Sequence, residues 1–193
     1  MRRLALCLVV SAACLAGVGT AMAQSTPTAI DPLAQHVDGP VSLTPDAAEA
    51  LRRRVLVDCG LPADQRDGLP WYFHFEYGRR LLDAGDARRA VVQLSQSVEM
   101  NPDSKAEKRL YGMWFTDYLP YFQLAEAHAQ LGNWPCAANA FQLSKAANEP
   151  TLGDIPTDRV RALQQSIESQ DASKMIGSCS KAEVMDPSFA AAR

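Results

Sequence analysis

The chain has 193 residues, with 19 Lys and Arg against 22 Asp and Glu, for a net charge of −3. Its composition, 47% hydrophobic and 21% charged, belongs to an ordinary globular protein and excludes a disordered or collagen-like chain. Nucleic-acid binding is disfavoured, because there is no basic surplus to neutralise phosphates.

The first 23 residues read as an address. Arg2 and Arg3 precede an apolar run from Leu4 to Val18, and Ala21-Met22-Ala23 supplies the small-x-small pattern of a signal-peptidase site before Gln24. The run is shorter than the ~20 residues of a spanning helix, so a secretory signal cleaved after Ala23 is expected, with no membrane insertion afterwards. A lipoprotein signal ending at Cys14 is the competing idea, but Ser11-Ala12-Ala13 has Ser where a lipobox normally has Leu.

Cleavage would leave 17 basic and 22 acidic residues, a net charge of −5, and three cysteines, Cys59, Cys136 and Cys179. An exported chain meets an oxidising compartment. Three thiols allow at most one internal bridge, and spacing does not say which two would pair. No C-x-x-C pair is present, so a thioredoxin-like redox site has no support.

Residues 24–43 carry three prolines and no helical period, and read as a flexible leader. Thr44, followed by Pro45, Asp46 and Glu49, is a helix start with a hydroxyl cap and acids at the positive dipole end. Ala47, Ala48, Leu51 and Val55 share a face, predicting a helix to about Val57. Asp58 to Pro70 is a Gly/Pro/Asp loop. A helix follows from Trp71 to Leu82, stopping at Gly85-Asp86, and another from Ala87 ends at Asn101-Pro102. Leu119 to Leu131 ends at Gly132-Asn133, and Pro135 to Ala147 ends before Pro150. Thr157 opens a last amphipathic helix to residue 168 with Val160, Leu163 and Ile167 on one side. Residues 169–193 read as a frayed, flexible tail. No strand pattern stands out, so the expected class is all-α.

Two helix pairs look like copies of one unit. His74-x2-Tyr77-Gly78-x2-Leu81, Ala90-x3-Leu94 and Pro102 resemble the tetratricopeptide repeat signature. Tyr121-x2-Leu124-Ala125-x2-His128, Ala137-x3-Phe141 and Pro150 resemble it again. Leu81 to Ala90 and His128 to Ala137 are each nine residues apart. The small residues Gly78, Ala90, Ala125 and Ala137 would let paired helices approach closely. The resemblance implies a short α-solenoid of antiparallel helix pairs, with repeats at about 71–102 and 118–150. Helices 44–57 and 157–168 would cap its ends within a 44–168 domain. The departures are His74 in place of Trp, Ala125 in place of Gly, and a repeat distance of 47 from Gly78 to Ala125 against about 34 in the family. Segments before and after Asn101-Pro102 that do not stack, or a sheet anywhere in this middle stretch, would end the repeat reading.

The excess lies around Asp103 to Asp117. Tyr111, Trp114, Phe115, Tyr118 and Phe122 follow a helical period that would extend the second pair's first helix backwards. Pro120 would force a kink or a restart near Asp117, a candidate cap. The segment resembles one in tetratricopeptide proteins of proteobacteria. Its aromatics either thicken the core or, at Trp114, Phe115 or Tyr118, line a partner surface.

No catalytic or metal motif is found: there is no H-E-x-x-H, G-x-S-x-G, phosphate loop or Cys/His cluster. His36 falls in the leader, while His74 and His128 occupy repeat-core positions. A thiol–imidazole pair of Cys136 and His128 has only sequence proximity behind it. The chain is therefore expected not to be an enzyme and to need no cofactor or metal. The resemblance implies that the first helix of each pair faces a concave binding surface. The candidate protein-binding residues are Tyr72, Phe75, Glu76, Arg79, Trp114, Phe122, Gln123 and Glu126. An extended peptide, or a helix with apolar groups and some positive charge, suits such a surface better than a C-terminal carboxylate does. The expected role is a periplasmic scaffold binding another protein, hypothetically in envelope assembly. A lipid-anchored outer-membrane component using the same helices is the alternative.

Overall fold

The computed structural model describes residues 42–110, 114–170 and 179–185, all within the Val37–Arg193 unit. The signal segment, the leader up to residue 41, His36 and Tyr111 lie outside the described residues. So does most of the expected tail.

The described chain is mostly helical. Helix α1 (Pro45–Asp58) begins where the cap pattern places it, with Thr44 Oγ1 accepting from Ala47 N at 3.3 Å. Helices α2 (Trp71–Asp83) and α3 (Ala87–Met100) form one helical hairpin, and α4 (Pro120–Gln130) and α5 (Trp134–Ala146) form the other. Each turn contains a glycine at positive φ, Gly85 at 82° and Gly132 at 68°, a conformation that costs glycine nothing. Asp86 then caps α3 by accepting from Arg89 N. Helix α3 packs on α4, joining the pairs, and α1 packs on α2.

Close approach within the first pair depends on Gly78. A Cβ there would lie 2.8 Å from Leu94 Cγ and 3.1 Å from Leu94 N, so no larger residue fits without moving α3. Ala90, Ala125 and Ala137 are fully buried. The matched small positions thus sit inside the core, among Leu81, Leu94, Leu124 and Phe141.

The segment between the pairs is a correction. It is not a backward extension of α4 but an antiparallel ribbon of β1 (Lys105–Arg109) and β2 (Phe115–Tyr118). The expectation of a chain without strands therefore fails at this ribbon. The physical reason lies at Pro120. The residue before a proline is pushed out of the α region, and Leu119 has φ −128°, so α4 must start at Pro120. The aromatic and β-branched residues before it pair across strands instead. The register slips between Lys105 and Lys108, with Glu107 at φ 47°. A sheet of the kind that would end the repeat reading is thus present in the middle stretch, a correction to that expectation; it occupies the inserted residues, and α3 packs on α4 beside it.

Tyr118 anchors the ribbon. It is fully buried, its ring edge-on to Trp71 and Phe75 at 4.6 and 4.8 Å, and its hydroxyl donates to Asn101 O at 2.7 Å. Burial pushes its phenol well above the ordinary range.

Three C-terminal features complete the unit. Pro150 does not simply end a helix but sits in the first turn of α6 (Glu149–Leu152). Helix α7 (Thr157–Glu168) buries Leu163 and half-buries Val160 and Ile167 against the core, reaching α4 and α5. Residues 179–185, read from the sequence as part of a frayed tail, instead carry α8 (Lys181–Val184), with a Ser180/Glu183 capping box. Cys179 is bridged to Cys136 of α5, Cα to Cα 5.0 Å, while Cys59 remains free and buried. Burial raises the Cys59 thiol to about 12, which keeps it protonated and inert.

Candidate functional site

Buried polar groups show how this region is built. Glu149 is fully buried, and its carboxylate accepts from Tyr121 N at 3.1 Å and Phe122 N at 2.6 Å, with Ser104 Oγ donating at 2.5 Å. It therefore caps α4 from beyond α5, where no local side chain does so. Burial raises its pKa despite these donors. Asp117, expected to cap α4, does something else. Its Oδ1 accepts from Glu107 N at 2.9 Å and its Oδ2 from Asp154 N at 3.1 Å, tying β2 to the segment before α7. Gly153 makes that contact possible, since a Cβ there would lie 2.6 Å from Leu119 Cδ1.

Between these parts lies an open cleft of about 200 Å³. Arg79 of α2 and Gln123 of α4 form one wall, Thr116, Asp117 and Leu119 another, and Asp154, Ile155, Pro156 and Arg159 the third. The first helices of both pairs thus contribute to one site. Its volume is below the roughly 300–1,000 Å³ of small-molecule pockets. One or two side chains of an extended polypeptide match it better.

The charges around the cleft are fixed in place. Arg79 donates to Glu76 at 2.8 Å and lies 3.8 Å from Asp83. Burial acts to lower its pKa, and these acids reverse the shift upward. Glu76 also accepts from Thr116 Oγ1 at 3.2 Å, linking α2 to β2. Arg159 forks onto both oxygens of Glu126 at 2.6 Å each, a bidentate geometry suited to guanidinium and carboxylate. Burial still raises the Glu126 pKa against this partner. Gln123 stands apart. It is only 7% exposed, and its Oε1 has no hydrogen-bond partner.

Of the residues singled out from the sequence, Arg79 and Gln123 line the cleft, with Glu76 and Glu126 holding its two arginines. Phe75 and Phe122 are corrections. They are 1% and 0% exposed, Phe75 against Tyr118 and Phe122 beneath the Arg159 guanidinium at 5.7 Å. The helical period places them one position away from the wet face, and they belong to the core. Tyr72 is half-buried, edge-on to Trp71 at 5.7 Å, and does not line the cleft. Trp114 is 57% exposed, on the ribbon. The inserted aromatics therefore divide, Tyr118 into the core and Trp114 and Phe115 onto the surface. Thr116, Asp117, Asp154 and Arg159 were not singled out as site residues; they join α2 and α4 only through the fold.

The imagined Cys136–His128 pair does not form. Cys136 is in the disulfide. His128, fully buried, donates from Nε2 to Val184 O at 2.7 Å, leaving Nδ1 facing Asn133 Nδ2 at 3.5 Å. Burial lowers its pKa, so it is a neutral latch for α8. His74 is half-buried with Nδ1 3.0 Å from Gln93 Oε1. Among the described residues no group of three or more His, Cys, Asp or Glu is placed to hold a metal ion, and no helix is long and apolar enough to cross a membrane. No family model, curated protein or solved structure matches this chain.

Proposed function

We propose that this chain is a periplasmic, tetratricopeptide-like scaffold that holds an extended segment of another protein in the cleft between α2, α4, β2 and residues 154–159. The observation that carries this reading is the Gln123 Oε1, an acceptor buried without a partner at the cleft wall. Five other buried polar atoms among the described residues, Gln130 Oε1 and Asn133 Oδ1 included, are likewise unpaired, but of the six residues Gln123 alone lines the cleft. Leaving such an atom unpaired costs about 1–3 kcal/mol, and a peptide N–H that meets it after a turn of the side chain supplies the missing donor. Two further features support the reading. The small residues recur at matched places inside both pairs, and the Cys136–Cys179 bridge is of a kind that persists in oxidising compartments. The envelope location rests on the signal-like start of the sequence.

Recovery of partners from periplasm by the wild type, Gln123→Leu and Arg79→Glu tests the proposal. Gln123→Leu removes a side-chain amide whose buried oxygen bonds to nothing, so its stability should be unchanged or higher while its partner recovery is lost. Equal recovery by folded variants would remove the cleft from consideration. Mass spectrometry of the mature N-terminus tests the location: a chain starting at Gln24 supports it, and a lipid-modified Cys14 contradicts it.

A further inference from the structure

We infer that the β1–β2 ribbon docks reversibly on an anionic lipid surface, through the exposed rings of Trp114 and Phe115 and the cations of Lys105 and Arg109. The inference does not rest on the cleft: Lys105, Arg109, Trp114 and Phe115 do not line it, although Thr116 and Asp117 of the same ribbon do.

Trp114 and Phe115 are adjacent and 57% and 52% exposed, whereas the aromatics of α2 and α4 are buried or half-buried. Aromatic rings at such a position are what the headgroup zone of a bilayer accepts, one end apolar and the surroundings wet. Charge points the same way. The exposed charged residues of β1 are Lys105, Glu107 and Arg109, two cations against one acid, while Lys108 and the ribbon's other acid, Asp117, are half-buried and bonded to the body. Arg109 pairs with Phe115 across the ribbon, and both Lys105 and Arg109 are exposed.

The base of the ribbon is braced. Lys108 Nζ donates to Asn101 Oδ1 at 2.8 Å and Asp103 O at 2.5 Å, and lies over the Trp71 and Tyr118 rings at 5.1 and 4.7 Å. Thr116 is bonded to Glu76, and Tyr118 is buried. The rings therefore sit on an ordered support, which lowers the entropy lost on docking.

Lipid is favoured over protein by the size of the feature. Two rings on a ribbon two strands wide fall well short of the ~800 Å² per partner of a stable protein interface. A fluid interface needs only partial insertion of rings together with attraction of cations to anionic headgroups, and yields weak, salt-sensitive binding. Such docking is peripheral and involves no spanning segment.

The test uses the full exported chain, disulfide intact, sedimented with vesicles of phosphatidylcholine alone or mixed with phosphatidylglycerol. Binding is expected only to the anionic vesicles, falling at high salt, with a blue shift of tryptophan fluorescence that Trp114→Phe largely removes. Trp114→Ala with Phe115→Ala, and separately Lys105→Glu with Arg109→Glu, should each weaken binding by about tenfold or more. Unchanged melting curves would show that both variants fold. No binding to anionic vesicles, or binding that ignores lipid charge and both double variants, would overturn the inference. So would a ribbon that binds an acidic protein and no vesicle.

Discussion

The two helical pairs share a spacing of small and large residues, yet they are supported in different ways. The α2–α3 pair takes its outside support from earlier and inserted segments: Asp86 Oδ2 accepts from Leu43 N at 3.1 Å, Arg89 donates to Leu43 O at 2.9 Å, and Tyr118 of β2 packs on Trp71 and Phe75. Its close contact is Gly78 against Leu94, its second helix is capped by Asp86 in the connecting turn, and Tyr77 OH donates to Ala48 O of neighbouring α1 at 3.0 Å. The α4–α5 pair leans on later parts of the chain. Its first helix is capped by Glu149, 28 residues beyond Tyr121. Its second helix is stapled to Cys179, 43 residues beyond Cys136, and His128 is bonded to Val184, 56 residues on. Repeated sequence thus specifies how two helices nest but not what holds the nest closed. The first pair is held by residues before it and by the ribbon, the second by Glu149 at its own end and by Cys179 and Val184 beyond it.

The contrast can be broken or sharpened by substitution. The largest effect is expected from replacing Cys136 and Cys179 together by Ala, about 4 kcal/mol on the chain-entropy account of a loop this long. Hydrogen exchange should then quicken in α5 and α8 before α2 and α3. Uniform quickening would mean that the pairs form one cooperative unit. Next comes Glu149→Ala, which leaves two buried amides of α4 without an acceptor and should cost about 3 kcal/mol in urea denaturation. Glu149→Gln, keeping one acceptor oxygen, should recover part of this. Gly78→Ala forces Leu94 and the α3 backbone aside and should cost about 2 kcal/mol. Ala125→Gly, at the matched place in the second pair, should cost about 1 kcal/mol through helix propensity. Equal costs would remove the distinction between a tight and a looser contact.

The smallest effect is a pH dependence. Burial lowers the pKa of His128 below its ordinary 6.5, so the unfolded chain binds the proton more tightly than the folded one. Stability contributed by neutral His128 is therefore present above pH 6.5 and is lost as pH falls below it. Glu149 and Glu126, both raised above 4.5, act oppositely, losing stability as pH rises through their window. The difference between the wild type and His128→Gln isolates the histidine. The wild-type melting temperature should fall more on acidification than that of the variant, and parallel curves would count against the latch.

Much of the helical frame was legible in the sequence because its causes are local. Thr44 and Pro45 start α1, glycines close both turns, and Gly78, Ala90, Ala125 and Ala137 mark the nested faces. The ribbon is not legible in the sequence, because the aromatics at 111, 114, 115, 118 and 122 satisfy a helical period and its other strand, Lys105–Arg109, carries no β-branched or aromatic residue. The candidate site was half legible. Arg79, Gln123, Glu76 and Glu126 follow from the faces of the first helices, but Phe75 and Phe122 lie a fraction of a turn inward, where they are core. Asp117, Asp154 and Arg159 meet α2 and α4 only through the ribbon and the approach at Gly153. No short-range pattern announces contacts of that kind. The Cys136–Cys179 pairing likewise needed α8 to fold back on α5.

A partner polypeptide in the cleft shared by α2 and α4 is open to site-specific photocrosslinking in living cells, with the reactive group placed at Asp154 on the cleft or at exposed Arg88 on α3. A bound partner should give a discrete protein adduct from Asp154, lost when Gln123→Leu is added, and none from Arg88. No adduct at Asp154, or the same adduct from both positions, would contradict a partner held there.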